Sequence, residues 1–280
     1  MKSLPYPWII AAVAVLVAAV AGFAALNPPA AAAPPDGSGA DASAALIRLQ
    51  SDITVALETL DGSLAYAASD LGKTGLTDDA ARAILLNLSE TDPAIVDCVV
   101  ADADGRIVAA EPAAYHEAEG ADIRGQAHVR HILASKRPIM SEMITVAEGF
   151  PAVVIAAPIF TNESRFAGFA AAVVRPEVLI GSVAGPLTNG TSLQVMVIQT
   201  DGRLLYDTDQ TQVGRMTLED PLYADYPDLL ATARRTAVER YGTAAYEFLA
   251  GGERVQKEIV WTTAGLHGTE WRVAVIRAVE

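Results

Sequence analysis

The sequence predicts an α+β fold: a long N-terminal helix followed by two tandem modules with antiparallel sheets. Three observations predict it. A strand–turn–strand pattern centred on Asp104-Gly105-Arg106 recurs around Asp201-Gly202-Arg203, and an Asp-Gly pair between apolar, β-branched runs is a strong hairpin signal. A glycine, a mixed polar–apolar segment and long strand-like runs follow each copy. No regular strand–helix–strand alternation accompanies them, so the connections read as hairpins and the sheets as antiparallel.

The elements follow in order. Residues 1–7 are expected to be a short cytoplasmic stub. Trp8 to Leu26 is an uncharged apolar run; at about 1.5 Å rise per residue it covers most of a hydrocarbon layer about 30 Å thick. Lys2 precedes it and the first charges after it are Asp36 and Asp41. The positive-inside rule then places the N-terminus in the cytoplasm and everything beyond Asn27 outside. A retained anchor is favoured over a cleaved leader, whose apolar region is usually about 7–15 residues long. Residues 27–41, rich in proline, alanine and glycine, read as an extended linker.

Residues 42–92 hold a long helix and a short one. Leu46, Leu49, Ile53, Ala56 or Leu57, Leu60, Leu64 and Ala67 step by three and four, the helical period. Asp41 or Ser43 is the expected cap, and Gly72 and Gly75 the expected break. Thr77-Asp78-Asp79 opens a second helix through Leu88, stopped by Asp92-Pro93. A first module spans 93–186 and a second 187–280. In the first, the hairpin leads to a polar loop from Tyr115 to Gly125 and a helix from Gln126 to Ser135. Strands follow over Ile139–Val146, Phe150–Phe160 and Phe166–Val174. Pro158 implies an edge or a bulge, and Pro176 opens a helix through Val183. In the second, a helix over Tyr223–Arg240 precedes strands at Thr243–Leu249, Glu253–Thr263 and Thr269–Ala278.

The 34 acidic and 20 basic residues give a net charge of −14. That argues against nucleic acid, which needs a basic footprint, and against docking on anionic head groups. The single cysteine, Cys98, excludes an internal disulfide and every multi-cysteine metal signature; in a central strand it reads as a small buried hydrophobe. No nucleophile elbow, zincin pair or phosphate-cradling loop occurs. No catalytic residue, cofactor or metal is therefore expected. Asn87, Asn162 and Asn189 open glycosylation-type triplets.

The Asp-Gly hairpins, Gly120-Ala121-Asp122-Ile123 before the short helix, the Ala157-Pro158-Ile159-Phe160 strand and Gly168 opening the next strand carry a resemblance over residues 42–280. The chain resembles the double-Cache sensor domains, an extracytoplasmic branch of the PAS-like folds. The resemblance implies two PAS-like modules and recognition of small molecules, often amino acids or carboxylates. It places the usual site in the membrane-distal module, here 93–186, between loop–helix segment and sheet. Gln126, His128 and Val129 stand where the amino-acid-binding members carry an arginine and an aromatic pair, and Val173 where they carry an aspartate. That departure counts against recognition of amino acids by the same chemistry.

Tyr115, Arg124, Gln126, His128, His131, Glu142 and Thr145 are the candidate ligand-binding residues. His128 and His131, three apart on a helix, share a face; a pocket wall and a plain helix surface are both favoured over metal ligation. Arg124 is either a fork for a ligand carboxylate or half of a surface ion pair. Asp102 and Asp104 open like a calcium loop but lack its remaining ligands, so a plain hairpin turn is expected. The leading expectation is an anchored extracytoplasmic sensor of a small polar metabolite. It would be coupled to a separate signalling partner, with the long helix available for homodimerisation. The alternative is a non-sensing co-receptor or envelope interaction module, its pocket filled by Phe150, Met140 and Met143.

Overall fold

The computed structural model describes residues 37–279 except Glu148 and Gly251. The stub at 1–7, the anchor expected at 8–26 and most of the 27–41 linker lie outside these residues. Among the described residues no helix is long and apolar enough to cross a membrane.

Helix α1 (Gly37–Thr74) has 38 residues and is the spine. Its stripe, Leu46, Leu49, Ile53, Leu57, Leu60, Leu64 and Leu71, is buried throughout, because three-and-four spacing keeps those side chains on one face. The helix starts before the expected caps and runs through Gly72 rather than breaking there. The reason is packing: a Cβ at Gly72 would stand 2.1 Å from the Phe160 carbonyl oxygen, so glycine lets helix and strand touch. Gly75, at φ +114°, follows the last turn as expected of a helix end. Helix α2 (Asp79–Ser89) is capped by Asp78, whose carboxylate accepts from the Ala81 amide at 2.8 Å.

Two sheets with the same connectivity follow. The first contains β1 (Ile95–Asp102), β2 (Ile107–Glu111), β3 (Ile139–Met140), β4 (Ile144–Thr145), β5 (Pro151–Phe160) and β6 (Phe166–Val174). Its order is β2-β1-β6-β5-β3, with β4 also on β5. The second contains β7 (Gln194–Gln199), β8 (Leu204–Asp207), β9 (Gly242–Ala250), β10 (Glu253–Leu266) and β11 (Thr269–Ala278), in the order β8-β7-β11-β10-β9. Every strand pair is antiparallel. Helix α3 (Ala127–Ser135) crosses the first sheet and α5 (Pro227–Val238) the second, with α4 (Pro176–Thr188) between the modules.

The repeat extends to single hydrogen bonds. Gly105 and Gly202 both have positive φ in their hairpin turns, and Gly120 and Gly214 in the returning loops. The Gly120 amide donates to the Ile107 carbonyl at 2.8 Å, and the Gly214 amide to the Leu204 carbonyl at 2.8 Å. The bridge Arg106–Asp122 in one module matches Arg203–Met216 in the other.

Period-two alternation splits each sheet into two faces. Cys98, Val100, Ile155, Ala170 and Ala172 of the first sheet, and Val195, Val197, Val273 and Val275 of the second, pack with α1 and α4 in one shared core. The other faces each have a core of their own. Val99, Val154, Phe169 and Val173 pack with Val129 and Ile132 of α3. Ile198, Ile259, Trp261 and Ile276 pack with Leu229 of α5.

Several boundaries differ from the sequence expectation. The strand expected over Ile139–Val146 is broken into β3 and β4. The Ser141 side chain takes the Val154 amide at 2.9 Å, and the Met143 amide is drawn to Gln199 of the other sheet at 2.7 Å. The Tyr223–Arg240 helix is a 3₁₀ turn (Pro221–Tyr223) followed by α5, because Pro227 disfavours a helical Tyr226 and starts the helix afresh. Helix α4 runs beyond Val183 to Thr188, with Pro186 inside it. Pro158 lies on β5 outside the short stretch that β3 pairs, so its missing N–H faces a local edge.

Candidate functional site

The loop–helix segment of the first module is built as expected, with Gln126 as the N-cap residue of α3. Tyr115 lies in a 3₁₀ turn (Ala113–Ala118), half-buried against the outer-face core. Arg124 is exposed and turned on Asp122, with Nε 3.0 Å from Oδ1 and 3.1 Å from Oδ2. That guanidinium holds the Asp122 carboxyl at about 2. Arg124 is thus engaged in the surface ion pair of its two expected roles. His131, Glu142 and Thr145 are exposed. His128 is buried and its Nδ1 has no hydrogen-bond partner; burial alone lowers its pKa to about 4, so the ring is neutral near pH 7. His128 and His131 therefore face different surroundings, one the core and one solvent.

Two of the seven candidates, Gln126 and His128, border a common cavity, which they share with Val99, Ile123, Phe169 and Val173. It holds about 20 Å³, close to the ~10–15 Å³ that one water needs. The loop above it is clamped from outside. Arg82 of α2 donates to Glu111 at 3.0 Å and to Glu119 at 2.8 and 3.1 Å, and its Nη1 lies 3.3 Å from the His116 ring. The Glu119 carboxyl is lowered chiefly by that guanidinium.

The second module holds a cavity of about 300 Å³ on its outer face, at the small end of ligand pockets. Met196, Ile198, Leu229 and Ile259 form its apolar wall, and Tyr223, Tyr246 and Phe248 present rings to it. Its polar end joins Gln194 at the start of β7, Asp207 at the end of β8, Asp209 and Gln212 of the following turn, and Lys257 of β10. Lys257 is buried and donates to the Gln194 side chain at 2.9 Å. Its ammonium lies 5.6 Å from the Phe248 ring centre. Asp207 accepts from the Asp209 amide at 2.8 Å. Tyr223 donates to Gln212 at 2.6 Å.

Burial dominates the electrostatics. It pushes the Asp207 carboxyl up to about 7, opposed by the Asp209 amide and the Lys257 charge. It lowers Lys257, which Asp207 and Asp209 oppose, and it raises the Tyr223 and Tyr246 hydroxyls. Asp209, bonded to Thr211, is lowered instead. Among the described residues no ion pair joins Asp207 to Lys257. Two opposite charges thus border one cavity without satisfying each other. Sequence reasoning passed over this site, although a signal existed. Lys257 has the same strand parity as the buried Ile259 and Trp261, and a lysine at an inward position needs a reason. Among the described residues no group of three or more His, Cys, Asp or Glu could hold a metal ion.

Residues 55–176 match the family model described as HK/GC/chemotaxis protein-like, sensor domain. No curated protein matches the chain. Among solved structures, it is similar to an extracellular ligand binding receptor from Desulfohalobium retbaense, at 28% identity and TM-score 0.69, over 83% of this chain and 39% of that one. The chain thus spans about two fifths of that receptor's length. It is also similar to the extracellular domain of the putative histidine kinase rpHK1S-Z16, at 17% identity and TM-score 0.66, over 87% of this chain and 95% of that one. A third is the ligand binding domain of the Pseudomonas aeruginosa amino acid chemoreceptor PctB with L-Gln, at 16% identity and TM-score 0.59, over 84% and 88%. With its long helix and its two sheets of identical strand order, the chain has the double-Cache type of extracytoplasmic sensor fold.

Proposed function

We propose that this chain is an extracytoplasmic small-molecule sensor that seats its ligand on the outer face of the second sheet and feeds a signalling partner. The observation that carries the reading is the cavity of about 300 Å³, bordered by rings and by Asp207 and Lys257, which do not pair with each other. Domain interiors are otherwise close-packed, so a cavity of this size with a few convergent polar groups is the ordinary form of a small-molecule site. The structural neighbours supply context: one is in complex with L-Gln, another with L-alanine. The role is recognition rather than catalysis. Residues 8–26 would anchor the chain, with 27–280 beyond the membrane. Helix α1 touches the inner faces of both sheets and would carry a shift in either one. Its exposed Ile47, Val55 and Tyr66 suit pairing with a second copy.

A specific observation favours a different role for the first module. Its outer face is packed almost solid around His128, as a non-sensing interaction module would be. The filling differs in part from the one expected: Phe150 packs on this core, with Phe169, Val154 and Val99, whereas Met140 and Met143 belong to the opposite, shared core.

Thermal unfolding against a panel of small amines, carboxylates and neutral aromatics tests the sensor reading. A cavity ligand at a hundredfold excess over its Kd adds about 2.7 kcal/mol, or roughly 5–10 °C in a domain of this size. Leu229→Trp, which fills the cavity, should remove the shift. Shifts that persist in that variant would place the ligand elsewhere; no shift with any compound would leave the interaction-module reading.

A further inference from the structure

Resting on the second-sheet cavity as the ligand site, we infer that its ligand is a protonated organic amine with an apolar body, whose ammonium pairs with the Asp207 carboxylate. The ground is the inventory of charges at the polar end. Asp209 is exposed and already accepts three hydrogen bonds, from the Thr211 amide at 3.1 Å, the Thr211 hydroxyl at 2.7 Å and the Gln212 side chain at 3.3 Å. Lys257 is held by Gln194 and the Phe248 ring, and both aspartates stabilise its charge. The Asp207 carboxylate accepts one hydrogen bond, from the Asp209 amide, and among the described residues it has no ion pair. With all three groups ionised the wall carries one negative charge in excess. A monocation cancels it, an anion doubles it, and a zwitterion leaves it unchanged.

The rings favour the same choice. Tyr223, Tyr246 and Phe248 border the space beside Asp207, and aromatic faces attract cations. The remaining wall is mainly apolar, from Met196 to Ile276, with Thr217, Thr232 and Thr236 among its side chains, and suits a largely hydrocarbon body. A volume of about 300 Å³ is at the small end of ligand pockets, so the ligand is small.

The groups that face Asp207 are Lys257 from β10, Asp209 from the following turn, Tyr223 from the 3₁₀ turn and Tyr246 from β9, with Tyr206 beside it on β8. The three tyrosines are shifted up and stay neutral, while Asp209 is shifted down and stays charged. Asp207 is therefore the carboxyl here that changes charge near pH 7. It pairs with an ammonium only when ionised, so affinity for an amine falls as pH falls through about 7.

Titration calorimetry on the full chain tests this with four probes of similar shape: 2-phenylethylamine, 2-phenylethanol, 3-phenylpropionate and phenylalanine. At pH 8 the amine should bind at least about tenfold more tightly than the alcohol. It should lose about tenfold by pH 6, as Asp207 takes up its proton. Asp207→Asn should abolish both the preference and the pH effect while its circular dichroism stays native. Tighter binding of the acid or the amino acid than of the amine overturns the inference, as does wild-type amine affinity in Asp207→Asn. If the alcohol or the acid binds, is lost in Leu229→Trp, and the amine does not bind, the cavity reading stands and the ammonium assignment fails. If none of the four binds, both fail.

Discussion

The outer faces of the two sheets share a strand order and a ladder register, yet one is filled and the other is open. The antiparallel register makes Val99 opposite Ala110 equivalent to Met196 opposite Asp207. It likewise makes Ile144 opposite Ala152 equivalent to Tyr246 opposite Lys257. Where the first sheet buries two alanines, the second carries an aspartate and a lysine. The covers differ as well. Over the first sheet the broken segment around β4 brings Val146 down onto the core, and Arg82 clamps the loop from a separate helix. Over the second, the loop is held by its own bonds, Arg215 to Asp220 at 2.7 Å and Tyr223 to Gln212 at 2.6 Å. A duplicated backbone thus supports two outcomes, because the side chains at a few inward positions decide whether the space between sheet and cover is occupied.

The strongest way to break that comparison is Phe169→Ala. Phe169 is fully buried on the filled face, and losing such a ring costs about 3–5 kcal/mol; urea unfolding should show it. A cost below ~1 kcal/mol would mean that this face is not a close-packed core. Next comes Arg82→Ala. It takes the guanidinium from the buried Glu111, which keeps the His116 ring at 3.1 Å, and frees the 113–119 loop, for an expected loss of about 1–3 kcal/mol. Hydrogen exchange should rise in that loop and leave the 210–223 cover unchanged; equal acceleration of both would show that the covers are coupled.

The two faces should also respond to pH with opposite sign. His128 is held neutral at about 4, below its ordinary ~6.5. The unfolded chain therefore binds the extra proton, and stability is lost as pH falls from about 6.5 towards 4. Asp207 is held at about 7, above its ordinary ~3.9. There the native state binds the extra proton, and stability is lost as pH rises from about 4 to 7. In melting curves across pH 4–8, His128→Leu should flatten the acid-side loss and Asp207→Asn the loss towards neutrality. Identical profiles in the two variants would refute the contrast. At the small end, Arg124→Ala should leave the melting temperature unchanged, because its partner Asp122 is solvated and surface pairs contribute little. A clear drop would give Arg124 a structural role that its exposure does not suggest.

The sequence by itself determined the order of elements, the duplicated Asp-Gly hairpins, the buried stripe of α1 and the burial of Cys98. These follow from local chemistry, namely periodicity, turn residues and capping, which a linear reading can see. It also marked the α3 region as the first module's loop–helix segment and singled out His128, whose buried, unpartnered ring it could not foresee. Only the tertiary structure decided which outer face is open. That outcome depends on residues far apart in the chain meeting across a sheet: Asp207 with Lys257 at one end of the cavity, Ser141 with Val154 where a predicted strand breaks, and Arg82 with Glu119 over the filled side. Packing volume and unpaired charge belong to the assembled space rather than to any segment, so no local pattern carries them.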